Sequence, residues 1–278
     1  VDETIAASLA AEIEQDAEVS GFQRAALLGS IAELRKDWPV AEAQYRNALA
    51  HNAPTTASIR LAVVMFRQNR KNEAQELLTA IQANAALSDE IRRDAFTTEI
   101  QFLLMSGQAS QSASAGLNDI YRRALLAWPG AHRLRYQFAM RLFGQGQVRQ
   151  ALDELRTVLR TAPADVDALN AYGYTLAKEM DRPRSAFKFI EQAFLIAPKR
   201  AEVLDSYGYV LHRLGRNSQA LPPLQKAWDT TPSAVTAGHL AQVFWQLGDK
   251  RQAQSYLNKG LELDADEVEL IKLKELLP

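Results

Sequence analysis

The side chains able to bind metals or relay protons are few and scattered along the sequence. The four histidines are His51, His132, His212 and His239, and cysteine is absent. A protein zinc site normally takes at least three ligands drawn from Cys, His and carboxylate side chains. His212 and His239 can approach each other if neighbouring helices carry them, but no third ligand accompanies them. We therefore predict no metal site.

Motifs for nucleotide binding and covalent catalysis are also missing. Gly144-Gln145-Gly146 lacks the rest of a phosphate-binding fingerprint and is typical of a turn between two helices. Ser206 follows Asp205, but adjacency along the chain does not place a base beside a nucleophile. No HExxH, GxSxG or calcium-loop spacing occurs. These observations predict a non-catalytic protein without a cofactor.

Composition limits the class of protein further. The 278 residues are 47% hydrophobic and 23% charged, which is typical of a folded chain. The formal net charge of −1 argues against a nucleic-acid binder, which normally carries a basic excess. No stretch approaches 18 consecutive apolar residues, so we predict no transmembrane segment. Val1 is not a natural start, and we expect any targeting segment or lipid-anchor cysteine to lie outside this chain.

Charge is distributed unevenly along the chain. The first twenty residues hold six acidic side chains and no Lys or Arg, whereas residues 119–160 hold eight Arg against three acidic side chains. One interpretation is a set of solvated helix faces. The other is an interaction surface for an acidic partner, which includes self-association of the acidic end with the Arg-rich segment.

The strongest pattern is a repeat of about 35 residues. Residues 169–176 (LNAYGYTL) are matched, 35 positions on, by residues 204–211 (LDSYGYVL). Four prolines follow nearly the same period, with gaps of 34, 35 and 34 residues: Pro129, Pro163, Pro198 and Pro232. A fixed period in this range predicts stacked helical hairpins, each of which needs its neighbours to bury an apolar face.

Small residues recur at fixed places in each repeat. They are Gly173, Ala186, Gly208 and Ala220. We predict that the two helices of a hairpin cross at these places, with Tyr172 and Tyr207 filling the space beside them. The prolines are predicted to mark the exit from each outer helix, because proline lacks a backbone donor and disfavours helix in the preceding residue.

The repeat predicts four segments. Residues 1–21 are an N-terminal capping helix, 22–131 contain three hairpins, 132–265 contain four regular hairpins, and 266–278 form a C-terminal capping helix. The third hairpin is irregular, because the run 107–116 of mainly Ser, Ala and Gln exceeds a usual hairpin turn. We predict an inserted loop there, either a tolerated insertion or a functional protrusion.

The order of residues resembles the tetratricopeptide repeat (TPR). Units four to six carry a Leu or aromatic residue, then Tyr-Gly or Phe-Ala, then Ala, a large apolar residue and Pro. The resemblance implies an all-α fold, a TPR-type right-handed superhelical solenoid of about seven helical hairpins with N- and C-terminal capping helices. It also implies a protein–protein interaction scaffold.

Residues 169–177, 204–215 and 237–248 carry a narrower resemblance. They are similar to proteobacterial TPR lipoproteins of the periplasmic face of the outer membrane. One such type is an adaptor that binds a C-terminal processing protease and delivers cell-wall hydrolases to it. The resemblance implies a periplasmic, outer-membrane-associated protein, with membrane attachment only through a lipid anchor outside this chain. A cytoplasmic location is the alternative.

The TPR resemblance also places a concave groove along the inner helices. The residues expected to face a ligand there are Tyr136, Met140, Asn170, Tyr174, Asp205, Tyr209, His212, His239, Gln242 and Trp245. Such an aromatic strip suits recognition of a peptide or helix, because aromatic side chains offer a large contact area at low entropic cost. Alternatively, Tyr174, Tyr209 and Trp245 pack between repeats. The Lys/Asn/Arg set with which some TPR domains bind a chaperone's terminal carboxylate does not occur at the corresponding positions.

Three functions remain open at this point. The first is the adaptor that holds a protein partner in the groove. The second is an assembly factor, similar to a pilotin, for an outer-membrane secretion or pilus complex. The third is a scaffold that associates with itself.

Overall fold

The helices of the chain form two compact units, Val1–Trp128 (unit 1) and Pro129–Pro278 (unit 2). The structure is a computed structural model that describes residues 3–51, 56–105 and 111–276, without the side chains of 111–114. Within these ranges the chain contains sixteen α-helices and no β-strand. The predicted all-α fold class is confirmed.

Unit 1 consists of helices that pack mainly on their neighbours in the chain. They are α1 (Glu3–Gln15), α2 (Gly21–Leu34), α3 (Trp38–Ala50), α4 (Thr56–Arg67), α5 (Lys71–Ala83), α6 (Asp89–Met105) and α7 (Gln111–Ala127). The pairs α2–α3, α4–α5 and α6–α7 are hairpins, and α1 lies against α2.

Unit 2 repeats the same arrangement more regularly. Its helices are α8 (His132–Gly144), α9 (Val148–Thr161), α10 (Val166–Lys178), α11 (Pro183–Ile196), α12 (Ala201–Arg213), α13 (Asn217–Thr230), α14 (Ala234–Gln246), α15 (Lys250–Leu263) and α16 (Val268–Leu276). The first eight form four hairpins, and α16 packs on α14 and α15. The inner helices α10, α12, α14 and α16 also contact one another in that order. They therefore form one continuous layer on the inner side of the unit.

The periodic prolines end the outer helices, as predicted. Each lies two residues beyond the last residue of α7, α9, α11 or α13. Proline cannot donate the next helical hydrogen bond, so the chain leaves the helix and turns into the following hairpin. The Gly144-Gln145-Gly146 turn is also confirmed, since α8 ends at Gly144 and Gly146 has φ of 72°.

Close helix crossings depend on the glycines of the repeat. A β-carbon added to Gly173 of α10 would lie 2.6 Å from Cγ1 of Ile190 and 3.2 Å from the carbonyl oxygen of Ala186 on α11. A β-carbon added to Gly208 of α12 would come equally close to the side chain of Leu224 in the next hairpin. Because Ile190 and Leu224 are fully buried, neither side chain can move aside cheaply.

The third hairpin differs from the prediction. We expected a loop over residues 107–116, but α7 begins at Gln111, so residues 111–116 are helical. Residues 107–110 lie outside the described residues. Ala and Gln are good helix formers. The segment also runs directly into the buried residues Leu117 and Ile120, so the helix that they anchor continues towards the N-terminus through residues 111–116.

The N-terminal helix is shorter than the predicted segment 1–21. It ends at Gln15, and Ile5 remains 64% exposed. Arg24 of α2 donates hydrogen bonds to the carbonyl oxygens of Ile13 (3.2 Å) and Asp16 (2.6 Å). These bonds occupy carbonyls at the end of α1 and fix the turn into α2.

Unit 1 contains a buried charge that the sequence pattern did not predict. Glu99 of α6 is 1% exposed and accepts hydrogen bonds from Arg123 of α7 (3.1 Å) and from Gln82 of α5 (2.7 Å). Three helices are thereby joined by one carboxylate. An ionised carboxylate in such a place depends on its partners, because water cannot replace them.

We expect Gly173→Ala to lower the free energy of unfolding of unit 2 by about 1–3 kcal/mol, because the added methyl group forces α10 and α11 apart. Gly144→Ala is the matched control, since a β-carbon there meets nothing within 4 Å. Urea unfolding followed by circular dichroism measures both variants. Equal stability of the two variants would contradict the close-crossing argument.

Removal of Arg123 is expected to destabilise unit 1. Arg123→Met leaves the Glu99 carboxylate buried with fewer partners, and breaking a buried pair costs about 3–5 kcal/mol. Arg35→Met removes the exposed Arg35–Glu3 pair and should cost less than about 1 kcal/mol. Thermal unfolding of both variants tests the difference, and a similar loss in each would show that Glu99 does not depend on Arg123.

Candidate functional site

Nine of the ten predicted groove residues line two adjoining cavities on the inner helices of unit 2. The aromatic cavity, of about 540 Å³, is lined by Tyr136, Met140, Asn170, Tyr174 and Asp205 among others. The polar cavity, of about 300 Å³, is lined by Tyr209, His212, His239 and Gln242 among others. Lys178 and Val235 line both cavities, so the two adjoin each other.

Helical spacing explains why these side chains meet. Tyr136 and Met140 on α8, Asn170 and Tyr174 on α10, and Asp205 and Tyr209 on α12 are three pairs of residues four positions apart. Residues at i and i+4 share one face of a helix. Three successive inner helices therefore turn equivalent faces towards the same groove.

The tenth residue, Trp245, lies elsewhere. Its side chain is partly buried and packs against the apolar cluster that contains Ala241, Leu257 and Leu270, with Lys250 Nζ 5.0 Å from its ring centroid. The packing alternative therefore describes Trp245. It also describes Tyr209, which lines the polar cavity but is only 7% exposed.

A ring cluster forms the floor where the two cavities meet. The ring centroids of Tyr174 and Tyr209 are 5.2 Å apart, and those of Tyr209 and His239 are 4.5 Å apart. His239 Nδ1 lies 3.0 Å from Oδ1 of Asp205, which joins α14 to α12 through a buried hydrogen bond. The cluster is rigid because each ring is held by another ring or by this bond.

Both tyrosines of the floor remain neutral over the physiological pH range. Burial raises the pKa of the Tyr174 phenol far above its ordinary value, and the negative charges of Asp205 and Glu269 add to this effect. Burial also raises the pKa of Tyr209, although the neighbouring Arg213 opposes the shift. The phenols can therefore donate hydrogen bonds to a ligand.

One polar atom of the aromatic cavity is unsatisfied. The side-chain oxygen of Asn170 is buried and accepts no hydrogen bond from any residue that the structure describes. Leaving a buried acceptor unpaired costs about 1–3 kcal/mol. Asn170 lines the cavity, so a donor supplied from the groove is the natural partner for this side chain.

The polar cavity carries charge of both signs. Arg213 of α12 donates hydrogen bonds to Oδ1 of Asp181 (2.6 Å) and to the Tyr209 hydroxyl (2.8 Å), so its charge is largely satisfied. Lys178 lies with Nζ 5.7 Å from the ring centroid of Tyr174. On the other side of the cavity stand Glu267 and Glu269, just before and within the first turn of α16.

Several residues that line the two cavities were not predicted from the sequence. Phe143, Lys178 and Arg213 follow predicted groove residues by three or four positions, so the spacing that placed Met140, Tyr174 and Tyr209 could have found them. Glu267 and Glu269 gave no such signal, because they belong to a helix that we expected only to cap the end of the unit. They reach the groove through tertiary packing.

Chemistry of other kinds finds little support in the described part of the chain. Ser206 is buried, and the neighbouring Asp205 carboxylate bonds to His239 on another helix. Across residues 3–51, 56–105 and 111–276, His and acidic side chains nowhere gather in a group of three suited to a metal ion. Over the same ranges no helix is both long and apolar enough to cross a membrane.

His212 is expected to make unit 2 less stable below neutral pH. Burial lowers the pKa of His212 from its ordinary value of 6.5, so the unfolded chain binds more protons there than the folded one. This contribution to stability is complete above the unfolded pKa and is lost as pH falls through the folded pKa. Urea midpoints measured between about pH 7.5 and about pH 5.5 should therefore fall less in His212→Gln than in the wild type. An identical fall in both proteins would contradict the assignment.

Comparisons with known proteins agree with the repeat pattern. Tetratricopeptide repeat family models match residues 136–191 and 236–267. The chain is 28% identical over 222 residues to the TPR repeat-containing protein PA4667 of Pseudomonas aeruginosa, a match that covers 77% of this chain. The chain spans only 35% of the length of that relative.

Solved structures show the same fold at low sequence identity. A chain of the APC/C hetero-tetramer Cut9-Hcn1 is 14% identical, with a TM-score of 0.56 over 99% of this chain and 51% of that one. YrrB, described as a TPR protein with an unusual peptide-binding site, is 18% identical, with a TM-score of 0.50 over 72% of this chain and 99% of YrrB. The hairpins within residues 136–191 and 236–267 are therefore tetratricopeptide repeats.

Proposed function

We propose that the two cavities of unit 2 form one groove that binds a segment of a protein partner. The observation that carries this proposal is that the two cavities adjoin each other and share Lys178 and Val235. Side chains from α8, α10, α12 and α14, together with the start of α16, line about 540 Å³ and about 300 Å³ of adjoining space. TPR proteins act as protein-interaction scaffolds, and the arrangement suits that role.

The chemistry of the aromatic cavity fits a peptide. Tyr136, Met140 and Phe143 offer an apolar surface for one or two side chains of the segment. Asn170 offers a buried amide oxygen that lacks a donor, and a backbone N–H of the segment would supply one. The fold likeness to YrrB, a TPR protein with an unusual peptide-binding site, gives further support.

We propose further that the bound protein belongs to a proteolytic system of the bacterial periplasm. The protein would act at the periplasmic face of the outer membrane and present cell-wall hydrolases to a C-terminal processing protease. The support is the resemblance of residues 169–177, 204–215 and 237–248 to TPR lipoproteins with this adaptor role. A lipid anchor outside this chain would supply the membrane attachment.

The groove is expected to lose its partner when its apolar wall is charged. Met140→Glu places a carboxylate in the aromatic cavity and should weaken binding at least tenfold, which corresponds to about 1.4 kcal/mol. Leu195→Glu is the matched control, because Leu195 is 74% exposed on α11 and does not line the groove. Affinity capture from a proteobacterial envelope extract, with mass spectrometry of the bound proteins, measures the difference. Circular dichroism checks that both variants keep their helices.

The identity of the captured proteins separates the two levels of the proposal. A processing protease or a wall hydrolase that is lost with Met140→Glu and kept with Leu195→Glu is the result expected of the adaptor. Capture of an outer-membrane secretion channel instead would favour the assembly factor. Equal capture by both variants would show that the groove is not the binding surface. Tyr209→Ala is unsuitable as a probe, because Tyr209 belongs to the buried core.

A further inference from the structure

The groove of unit 2 ends at α16 in a wall that carries two carboxylates. Glu267 and Glu269 line the polar cavity together with Leu270, which is fully buried and anchors this part of α16 against the rest of the unit. Glu269 acts electrostatically on the phenols of both Tyr174 and Tyr209, which stand on α10 and α12. The Glu269 carboxylate is therefore close enough to the groove floor to be felt there, and it lines the polar cavity itself.

These two carboxylates have no direct ion-pair partner in the described part of the chain. Neither Glu267 nor Glu269 forms an ion pair with a Lys or Arg side chain among the residues that the structure describes. The side chain of Glu267 accepts a long 3.4 Å hydrogen bond from the backbone N–H of Glu269. A cation brought by a ligand would meet two acceptors whose charges are free.

The cations of the polar cavity stand on its other side. Arg213 is engaged by Asp181 and by the Tyr209 hydroxyl. Lys178 lies at the end of α10, at the junction with the aromatic cavity. Its charge repels a ligand cation at the junction and so favours a position nearer α16.

We infer that the polar cavity selects a basic side chain, Arg or Lys, of the bound protein segment. The inference rests on the proposed binding function and adds the charge of the ligand to it. An apolar residue of the segment fills the aromatic cavity, and the basic residue follows beyond Lys178 with its charged end at Glu267 and Glu269.

Selection from a displayed peptide library tests the inference. Random segments are displayed between two fixed flanks, so that no free amino terminus is present, and are selected on the wild-type chain. We expect enriched segments to combine an apolar residue with an Arg or Lys at a constant separation. The same library is then selected on Glu267→Gln/Glu269→Gln, in which glutamine keeps the hydrogen-bond acceptors and removes the charges.

The double variant should keep the apolar preference and lose the preference for Arg or Lys. A segment selected on the wild type should bind it about fivefold more weakly, as expected for two partly exposed ion pairs. The matched control is Glu262→Gln/Glu275→Gln, which removes the same charge from exposed positions on α15 and α16 that do not line the cavity. The control should bind the selected segment as the wild type does.

Each other result has a distinct meaning. Enrichment without basic residues, or an equal loss of binding in both double variants, overturns the inference and leaves the groove as a peptide site. A basic preference seen only with free amino termini also overturns it, because the ligand cation would then be a terminal ammonium. Failure to enrich any segment argues against the proposed function itself.

Discussion

Unit 2 depends on the close approach of paired helices at positions that carry no side chain. At Gly173 and Gly208 a single added carbon would collide with the fully buried Ile190 or Leu224. The crossing fixes how far each inner helix stands from its outer partner and therefore how the inner helices line up with one another. Equivalent faces of α8, α10 and α12 meet in one groove only because this distance is repeated from hairpin to hairpin.

The parts of the fold that the sequence predicted are those encoded by a period. Small residues, prolines and i, i+4 pairs recur regularly, so they predict the hairpins, and nine of the ten residues predicted for the groove do line the cavities. The start of α7 was missed because the Gly and Ser residues of this run are typical of loops, although its Ala and Gln residues favour a helix. The burial of Tyr209 and Trp245 was not decided either, since one helix face can serve both the next repeat and a groove. The acidic wall of α16 arises from contacts beyond the repeat pattern.

The two units use buried polar groups differently. In unit 1 the Glu99 carboxylate is enclosed by partners from neighbouring helices, and the Glu33 carboxylate likewise accepts hydrogen bonds from Tyr45 (2.6 Å) and Arg60 (2.6 Å). These groups hold helices together and face no ligand. In unit 2 the Asp205–His239 pair lies beside open space, and the Asn170 oxygen has no described partner at all. The polar groups of unit 2 therefore border the groove, whereas those of unit 1 join helices to one another.

The position of α16 links ligand binding to the local folding of that helix. Within the described residues this helix is held by α14 and α15 on one side, while Val268 (58% exposed) and Leu276 (72% exposed) face outwards. Helices supported on one side open locally at a lower free energy than those inside a stack. A ligand that bridges the groove floor and the carboxylates of α16 would bind only while that helix is docked. Binding would then slow amide hydrogen exchange in α16, and mutations that loosen its docking would weaken affinity without touching the ligand.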